Sequence, residues 1–152
     1  MGFKFKPHWF NRAWFLKQVK ANTVALISLC TALSGISYNT WLDHKNEINH
    51  NMRDAAFKIL TDLGELQTVV NYEHFEHNND RGNPIEGWKY VLVIRDLSRL
   101  LKPDAAKAGE VLFVEWQNHW DALGKDSNTE MLISNKIAQT RQAVLNTIDS
   151  LD

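Results

Sequence analysis

The sequence predicts an all-α protein with one transmembrane helix near its start and an antiparallel helical bundle after it. Three observations predict this: a stretch of 22 residues without a charge, unequal charge on its two sides, and apolar residues at helical spacing through the remainder. The chain has 152 residues, which suits one compact domain with an attachment and excludes a two-domain enzyme of the usual size. Seven glycines and three prolines are too few for a turn-rich all-β protein.

The uncharged stretch covers residues 21–42. As a helix it would be about 33 Å long, enough to cross the hydrocarbon core of a bilayer. We therefore predict a single transmembrane helix here. The apolar residues expected to form this span include Ala21, Leu26, Leu29, Leu33, Ile36 and Leu42.

The charges on the two sides of this stretch predict its orientation. Residues 1–20 contain five basic residues and no acidic one, whereas residues 43–152 contain twelve basic and eighteen acidic residues, a formal charge of −6. By the positive-inside rule, residues 1–20 lie in the cytoplasm and residues 43–152 outside it. The expected location is the inner membrane, with the C-terminal domain in the periplasm if the protein is bacterial.

Two other interpretations of the uncharged stretch stay open, because it contains several Ser, Thr and Asn residues. It could be a cleaved signal peptide with its core at residues 24–33, although a basic leader of 20 residues is long for one. It could also be a buried helix of a soluble protein. A lipoprotein is disfavoured, because Leu29 precedes Cys30 where a small residue is expected.

The leader, residues 1–20, mixes aromatic and basic side chains. This mixture is typical of a segment that lies on an anionic headgroup surface. Aromatic and basic residues also bind nucleic acid, but a span that starts a few residues later makes lipid the nearer anion. We therefore expect the lipid bilayer as a partner, and no nucleic acid.

The first helix outside the membrane is predicted over residues 42–79, continuous with the span and followed by a turn at residues 79–82. No proline interrupts it, and its apolar residues recur at intervals of three and four. This stripe consists of Ile48, Met52, Ala55, Ile59, Leu63, Leu66 and Val70.

Two later helices have start signals. Asn83 is a candidate N-cap, Pro84 suits the first helical position, and Glu86 stands three residues after the cap. Further on, Gly124 is predicted to end a helix, Ser127 to cap the last one, and Glu130 to complete its capping box. The last stripe consists of Ile133, Ile137, Val144, Ile148 and Leu151, with Arg141 as a break.

Pro103 leaves the number of helices open at three or four. The stripe before it, which includes Leu97 and Leu101, continues in phase through Ala105 to Trp120. This favours one middle helix, residues 84–123, kinked at Pro103, over two separate helices. The runs at residues 90–94 and 111–114 have strand propensity, so an α+β sensory domain is a further alternative.

Two groups of residues are candidate binding sites. The most polar cluster, at the predicted tip, offers imidazole and carboxylate ligands for a divalent metal, although a solvated helix end explains it equally well. Its members are Glu73, His74, Glu76, His77 and Asp80. The side chains of Trp88, Trp116 and Trp120 could line a pocket for an apolar or cationic ligand, or could pack in the core.

The sequence does not indicate an enzyme. The seven glycines are scattered singly, so no phosphate-binding loop is predicted, and the serines lack a nucleophile-elbow pattern. The one cysteine, Cys30, lies in the predicted span, where a thiolate is disfavoured. We expect no catalytic residues and no cofactor.

The expected function is that of an accessory protein, anchored by one span, whose outer domain binds another membrane or periplasmic protein or a second copy of itself. The alternative is a periplasmic sensor or ligand-binding module. A span followed by a helical bundle is superficially similar to the ligand-binding part of bacterial membrane receptors, which usually have a cytoplasmic signalling domain as well. Because only 20 residues precede the span, any signal would have to pass to a partner.

Overall fold

A computed structural model describes residues 12–76 and 82–151, and in these ranges the chain is helical and has no strand. This confirms the all-α prediction. The α+β alternative is wrong, because both strand-like runs lie within α-helices whose buried positions recur at helical spacing. The described helices are α1 (Arg12–Ala21), α2 (Thr23–Asn71), α3 (Pro84–Ser98), α4 (Pro103–His119) and α5 (Ser127–Asp149). A π-helical turn, Tyr72–Glu76, follows α2, and a 3₁₀ turn, Trp120–Ala122, follows α4.

The chain divides into two compact units, residues 1–46 and 47–152, and α2 contributes to both. In the first unit, every side chain from residue 20 to residue 46 is exposed. The predicted continuity past Leu42 is confirmed, because α2 runs through this residue without a break.

No single helix in the described part of the chain is both long and apolar enough to qualify as a membrane span. The two helical stretches Trp14–Ala21 and Thr23–Phe75 meet the criteria only as a pair, which is bent by 70°. The hydropathy of the uncharged stretch is lowered by the same Ser, Thr and Asn residues that left its interpretation open.

In the second unit, residues 47–152, the helices share one hydrophobic core. Gln67 of α2 bonds to Ser134 of α5 at 2.9 Å, and Arg53 of α2 donates to the carbonyl of Leu151, so α2 and α5 are antiparallel. The predicted stripes supply most of the core. Its fully buried large side chains include Ile59, Leu63, Leu66, Val70, Val91, Ile94, Leu112, Trp116, Leu123, Ile133 and Val144.

Pro103 begins α4 as a separate helix, so the preferred single kinked helix over residues 84–123 is wrong. Proline disfavours the helical conformation of the residue before it, and Lys102 is extended, with φ −66° and ψ 155°. The helix α4 then packs back on α3, with Gly109 lying against Ser98. The spacing of apolar residues continues across Pro103 because the apolar residues of α3 and of α4 are buried in the same core.

The predicted start of α3 is confirmed, whereas that of α5 is displaced by one residue. Asn83 caps α3 and accepts a hydrogen bond from the Ile85 amide at 3.0 Å. Asp126, and not Ser127, caps α5 by accepting from the Asn128 amide at 3.0 Å. With this cap, Glu130 is one position too far along to complete a capping box, and its carboxylate accepts from Ser134 at 2.6 Å.

The distal end of α2 also differs from the prediction. The α-helix ends at Asn71, and a π-helical turn follows it to Glu76, while the predicted end at residue 79 lies outside the described residues. Most of the predicted turn at residues 79–82 lies outside the described residues. Gly124, at φ +81°, follows the 3₁₀ turn after α4, as expected for a residue that ends a helix.

Candidate functional site

The described part of residues 47–152 has an apolar groove of about 540 Å³ between the start of the α2 stripe and the end of α3. Its floor is formed by Ile48, Met52 and Ala55 of α2 with Leu97 and Leu100 at the α3 end. Ile48 is 44% exposed and Leu100 is 59% exposed, although both are large apolar residues. We call this feature the α2–α3 groove.

Three polar residues of α2, Asn51, Asp54 and Lys58, line the edge of the α2–α3 groove. Asp54 lies 3.5 Å from His50, and both side chains are well exposed. Lys58 is held differently, since its ammonium lies 2.5 Å from Asp62, one turn further along α2. Because Asp62 neutralises Lys58, the groove edge keeps the negative charge of Asp54, and Glu47 is exposed two turns before it.

Asp62 is an anomaly of the core, because a carboxylate that is only 2% exposed normally has several partners. Its Oδ1 accepts from Lys58, but no described group is within hydrogen-bonding distance of Oδ2. An unsatisfied buried oxygen lowers the stability of the folded domain. The ion pair with Asp62 therefore holds Lys58 beside the groove but does not satisfy both carboxylate oxygens.

We expect Lys58→Met to lower the free energy of unfolding by about 2 kcal/mol, because the variant leaves Asp62 buried without its cation. The combination with Asp62→Leu should recover this loss or exceed wild type, since a buried ion pair replaced by apolar side chains is often neutral or stabilising. Urea unfolding followed by circular dichroism measures both changes. A Lys58→Met variant as stable as wild type would show that the ion pair does not contribute to the free energy of unfolding.

The three predicted pocket tryptophans lie close together but differ in role. Trp116 is completely buried, and its ring contacts Gly87 of α3. Trp88 and Trp120 are partly buried, with ring centroids 6.2 Å apart in an edge-to-face arrangement, and Trp88 meets Phe113 in the same way at 6.1 Å. Such contacts are typical of aromatic side chains packed in a core. That the three tryptophans bind an apolar or cationic ligand stays a prediction.

The predicted metal cluster is only partly within the described residues. Glu73 and His74 lie in the π-helical turn, while the side chain of Glu76 and residues His77 and Asp80 fall outside the described part. Glu73 packs against Gly124 and Gly82, and its Oε2 is buried without a described partner. The described residues contain no group of three His, Cys, Asp or Glu side chains placed to hold a metal ion.

The residues predicted to form the span occupy two helices. Ala21 ends α1, and the other five lie in α2, where each is exposed. The hydroxyls of Thr31 and Thr40 donate to the carbonyls of Ile27 and Ile36, at 3.0 and 2.9 Å. These hydroxyls are therefore satisfied within the helix, which lowers the cost of placing them in an apolar medium.

The glutamate predicted to support the start of α3 has a different partner. Glu86 accepts a hydrogen bond from the exposed Lys89 at 3.1 Å. This bond is the main reason why the pKa of Lys89 lies above its usual value, with the neighbouring Tyr90 as a further cause. The contact lies on the solvent side of α3 and does not contribute to the α2–α3 groove.

Sequence reasoning missed the α2–α3 groove, although Ile48, Met52, Ala55 and Leu97 all belong to predicted stripes. The stripes alone predict that these residues are buried, whereas α3 leaves one end of the α2 stripe uncovered. The signal that could have indicated it is Leu100, which precedes Leu101 and falls outside the stripe.

Comparison of the chain with models of protein families, with curated proteins and with solved structures finds no match. Function is therefore inferred from the residues and their geometry.

Proposed function

We propose that this chain is a single-pass, membrane-anchored interaction protein whose helical domain, residues 47–152, binds a basic amphipathic helix of a partner protein in the α2–α3 groove. The N-terminus lies in the cytoplasm, and the helical domain lies outside the inner membrane. The observation that carries the binding role is the combination of an open apolar lining with the carboxylate of Asp54, while the ammonium of Lys58 in the same lining is paired with Asp62.

Anchoring is supported by the exposure of apolar side chains on every side of the first half of α2. Val24, Ile27 and Ile36 are 60–79% exposed, and large apolar residues continue to Trp41. In water this surface would stay uncovered, while lipid covers it on all sides at once. The absence of charge between residues 21 and 42 and the basic leader are consistent with insertion in the proposed orientation.

The size of the α2–α3 groove suits a short helix. From Ile48 to Lys58 its α2 wall rises about 15 Å, which corresponds to two to three helical turns. A helix that presents apolar side chains at positions i, i+3 or i+4, and i+7 would place them between Ile48 and Leu100. Such binding would remove from water two large side chains that the folded domain leaves exposed.

The charge at the edge of the groove selects among occupants. Asp54 and Glu47 lie seven residues apart, on one side of α2, and both are exposed. A second copy that docks its own groove symmetrically would bring a second acidic edge against the first, which is repulsive. A partner helix with Lys or Arg beside its apolar positions is attracted instead.

Site-specific photo-crosslinking in intact membranes tests this proposal. The full chain carries a benzophenone amino acid at Leu100, and adducts are mapped by mass spectrometry to the crosslinked peptide. We expect one heterologous adduct, whose peptide carries apolar residues at helical spacing and flanking basic residues. Ile48→Asp should abolish the adduct, and Glu47→Gln with Asp54→Asn should weaken it at low ionic strength.

The matched control places the same probe at Leu132 of α5, which is 42% exposed and is not part of the groove. This position should not give the same adduct. An adduct between two copies of this chain would show that the occupant of the groove is a second copy and not the proposed partner helix. Adducts whose yield is unchanged by Ile48→Asp, or the lack of any protein adduct, would overturn the role of the α2–α3 groove.

A further inference from the structure

The helix α1 (Arg12–Ala21) combines basic residues with exposed aromatic and aliphatic side chains. It contains three basic residues and no acidic one. Its apolar side chains are not packed: Trp14 and Phe15 are 59% exposed and Leu16 is 54% exposed. Lys17 and Lys20 lie three residues apart, one turn along the helix, and both are exposed.

A sharp elbow at Asn22 separates α1 from α2, with a bend of 70°. Two side chains beside the bend form hydrogen bonds to backbone carbonyls at the end of α1. The hydroxyl of Thr23 lies 3.0 Å from the carbonyl of Val19 and 2.9 Å from that of Lys20. The carbonyl of Gln18 accepts from the backbone amide of Asn22 at 3.0 Å and also from its side-chain amide at 3.1 Å.

This capping matters because unsatisfied carbonyls are costly where water is scarce. An elbow whose carbonyls are satisfied by its own side chains can lie at the boundary between headgroups and hydrocarbon. With α2 entering the bilayer, as proposed above, a bend of 70° directs α1 closer to the membrane plane than to the membrane normal.

We propose that the elbow holds α1 in the interfacial plane of the cytoplasmic leaflet, where α1 binds anionic phospholipid headgroups. This inference rests on the proposed membrane anchor. Trp14, Phe15 and Leu16 insert at the level of the headgroups and upper acyl chains, which suits aromatic and aliphatic side chains. Lys17 and Lys20 extend from the helix to the phosphates of anionic lipids.

Charge complementarity selects this occupant. Each lysine near an anionic surface is attracted to it, and a zwitterionic surface does not provide this attraction. With no acidic residue in α1, nothing on this helix offsets the attraction. The exposed apolar side chains need an apolar phase beside the anions, which a bilayer supplies.

The test uses the full chain with Cys30→Ser and a nitroxide at Leu16→Cys, reconstituted in vesicles. Vesicles of phosphatidylcholine alone are compared with vesicles that also contain phosphatidylglycerol. Collision rates with oxygen and with a water-soluble nickel chelate report the depth of the label. In the anionic vesicles we expect the label to be protected from nickel and accessible to oxygen.

Lys17→Gln with Lys20→Gln should lower the ratio of membrane-bound to water-exposed α1 by about thirty-fold in anionic vesicles. It should have little effect in phosphatidylcholine. The matched control, Lys102→Gln with Lys107→Gln, removes the same charge from exposed positions of the helical domain and should leave the label depth unchanged.

Flotation of the vesicles separates this inference from the anchor on which it rests. Protein that floats while the label stays accessible to nickel in both lipids overturns the lipid-binding role of α1 alone. Protein that does not float overturns the anchor as well. A label depth that is independent of phosphatidylglycerol, or a label immobilised by RNA but not by lipid, also contradicts the proposal.

Discussion

Gly87→Ala is expected to lower the free energy of unfolding of the helical domain by about 3 kcal/mol, a large effect for one added methyl group. A Cβ at this position would overlap the Cζ2 and Cη2 atoms of Trp116, a ring that is completely buried. The ring has no space to move into, because side chains in a core are close-packed. Urea unfolding of the full chain in detergent, followed by circular dichroism, measures the change.

Gly64→Ala is the matched control for this prediction. Gly64 lies in the interior of α2, and nothing lies within 4 Å of an added Cβ. Alanine there should stabilise the helix by up to about 1 kcal/mol. Trp116→Phe should rescue part of the loss in Gly87→Ala, because phenylalanine lacks the ring atoms that would overlap. Additive effects of Gly87→Ala and Trp116→Phe would contradict this packing explanation.

Leu29→Arg combined with Leu33→Arg is expected to remove the full chain from the membrane fraction. The two residues are one turn apart near the centre of the uncharged stretch, and each is 55% exposed. An arginine at the centre of a spanning helix costs about 2.5–3.5 kcal/mol, so two together oppose insertion strongly. The measurement is the fraction of protein that stays with membranes after alkaline extraction.

Thr61→Arg with Thr68→Arg adds the same charge to exposed positions of the same helix, within the helical domain. This control should stay in the membrane fraction. Retention of the Leu29→Arg, Leu33→Arg variant at the wild-type level would contradict the span. Wild-type protein that is released from the membrane fraction and whose intact mass lacks the N-terminal residues would favour the signal-peptide interpretation.

The spacing of apolar residues predicted most of the helical core, because this spacing determines which side of each helix is buried. The α2 stripe from Ala55 to Val70 is buried, as its spacing of three and four indicates. Arg141 interrupts the α5 stripe, and the neighbouring Thr140, 1% exposed, takes the buried position instead. Its hydroxyl bonds to the Ala108 carbonyl of α4 at 3.2 Å, a partner that no local pattern could indicate.

The choice between equivalent local signals could not be made from sequence. Asp126 and Ser127 are both good N-cap residues. Which of them caps α5 depends on the residue at which the turn after Gly124 ends and the helix begins. The tryptophans illustrate the same limit. Trp116 can be completely buried only because α3 presents Gly87 to its ring, a contact between two residues that are 29 positions apart in the chain.

The sequence by itself determined that this protein is helical, that its charge is divided at residue 42, and which side of most helices is apolar. These properties depend on residue spacing and side-chain type, which a chain carries before it folds. Tertiary structure decided that Pro103 separates two helices and that the α2–α3 groove stays open. The opening of the groove depends on packing between helices rather than on the pattern within one. Pro103 separates two helices rather than kinking one because α4 folds back on α3 after the extended Lys102.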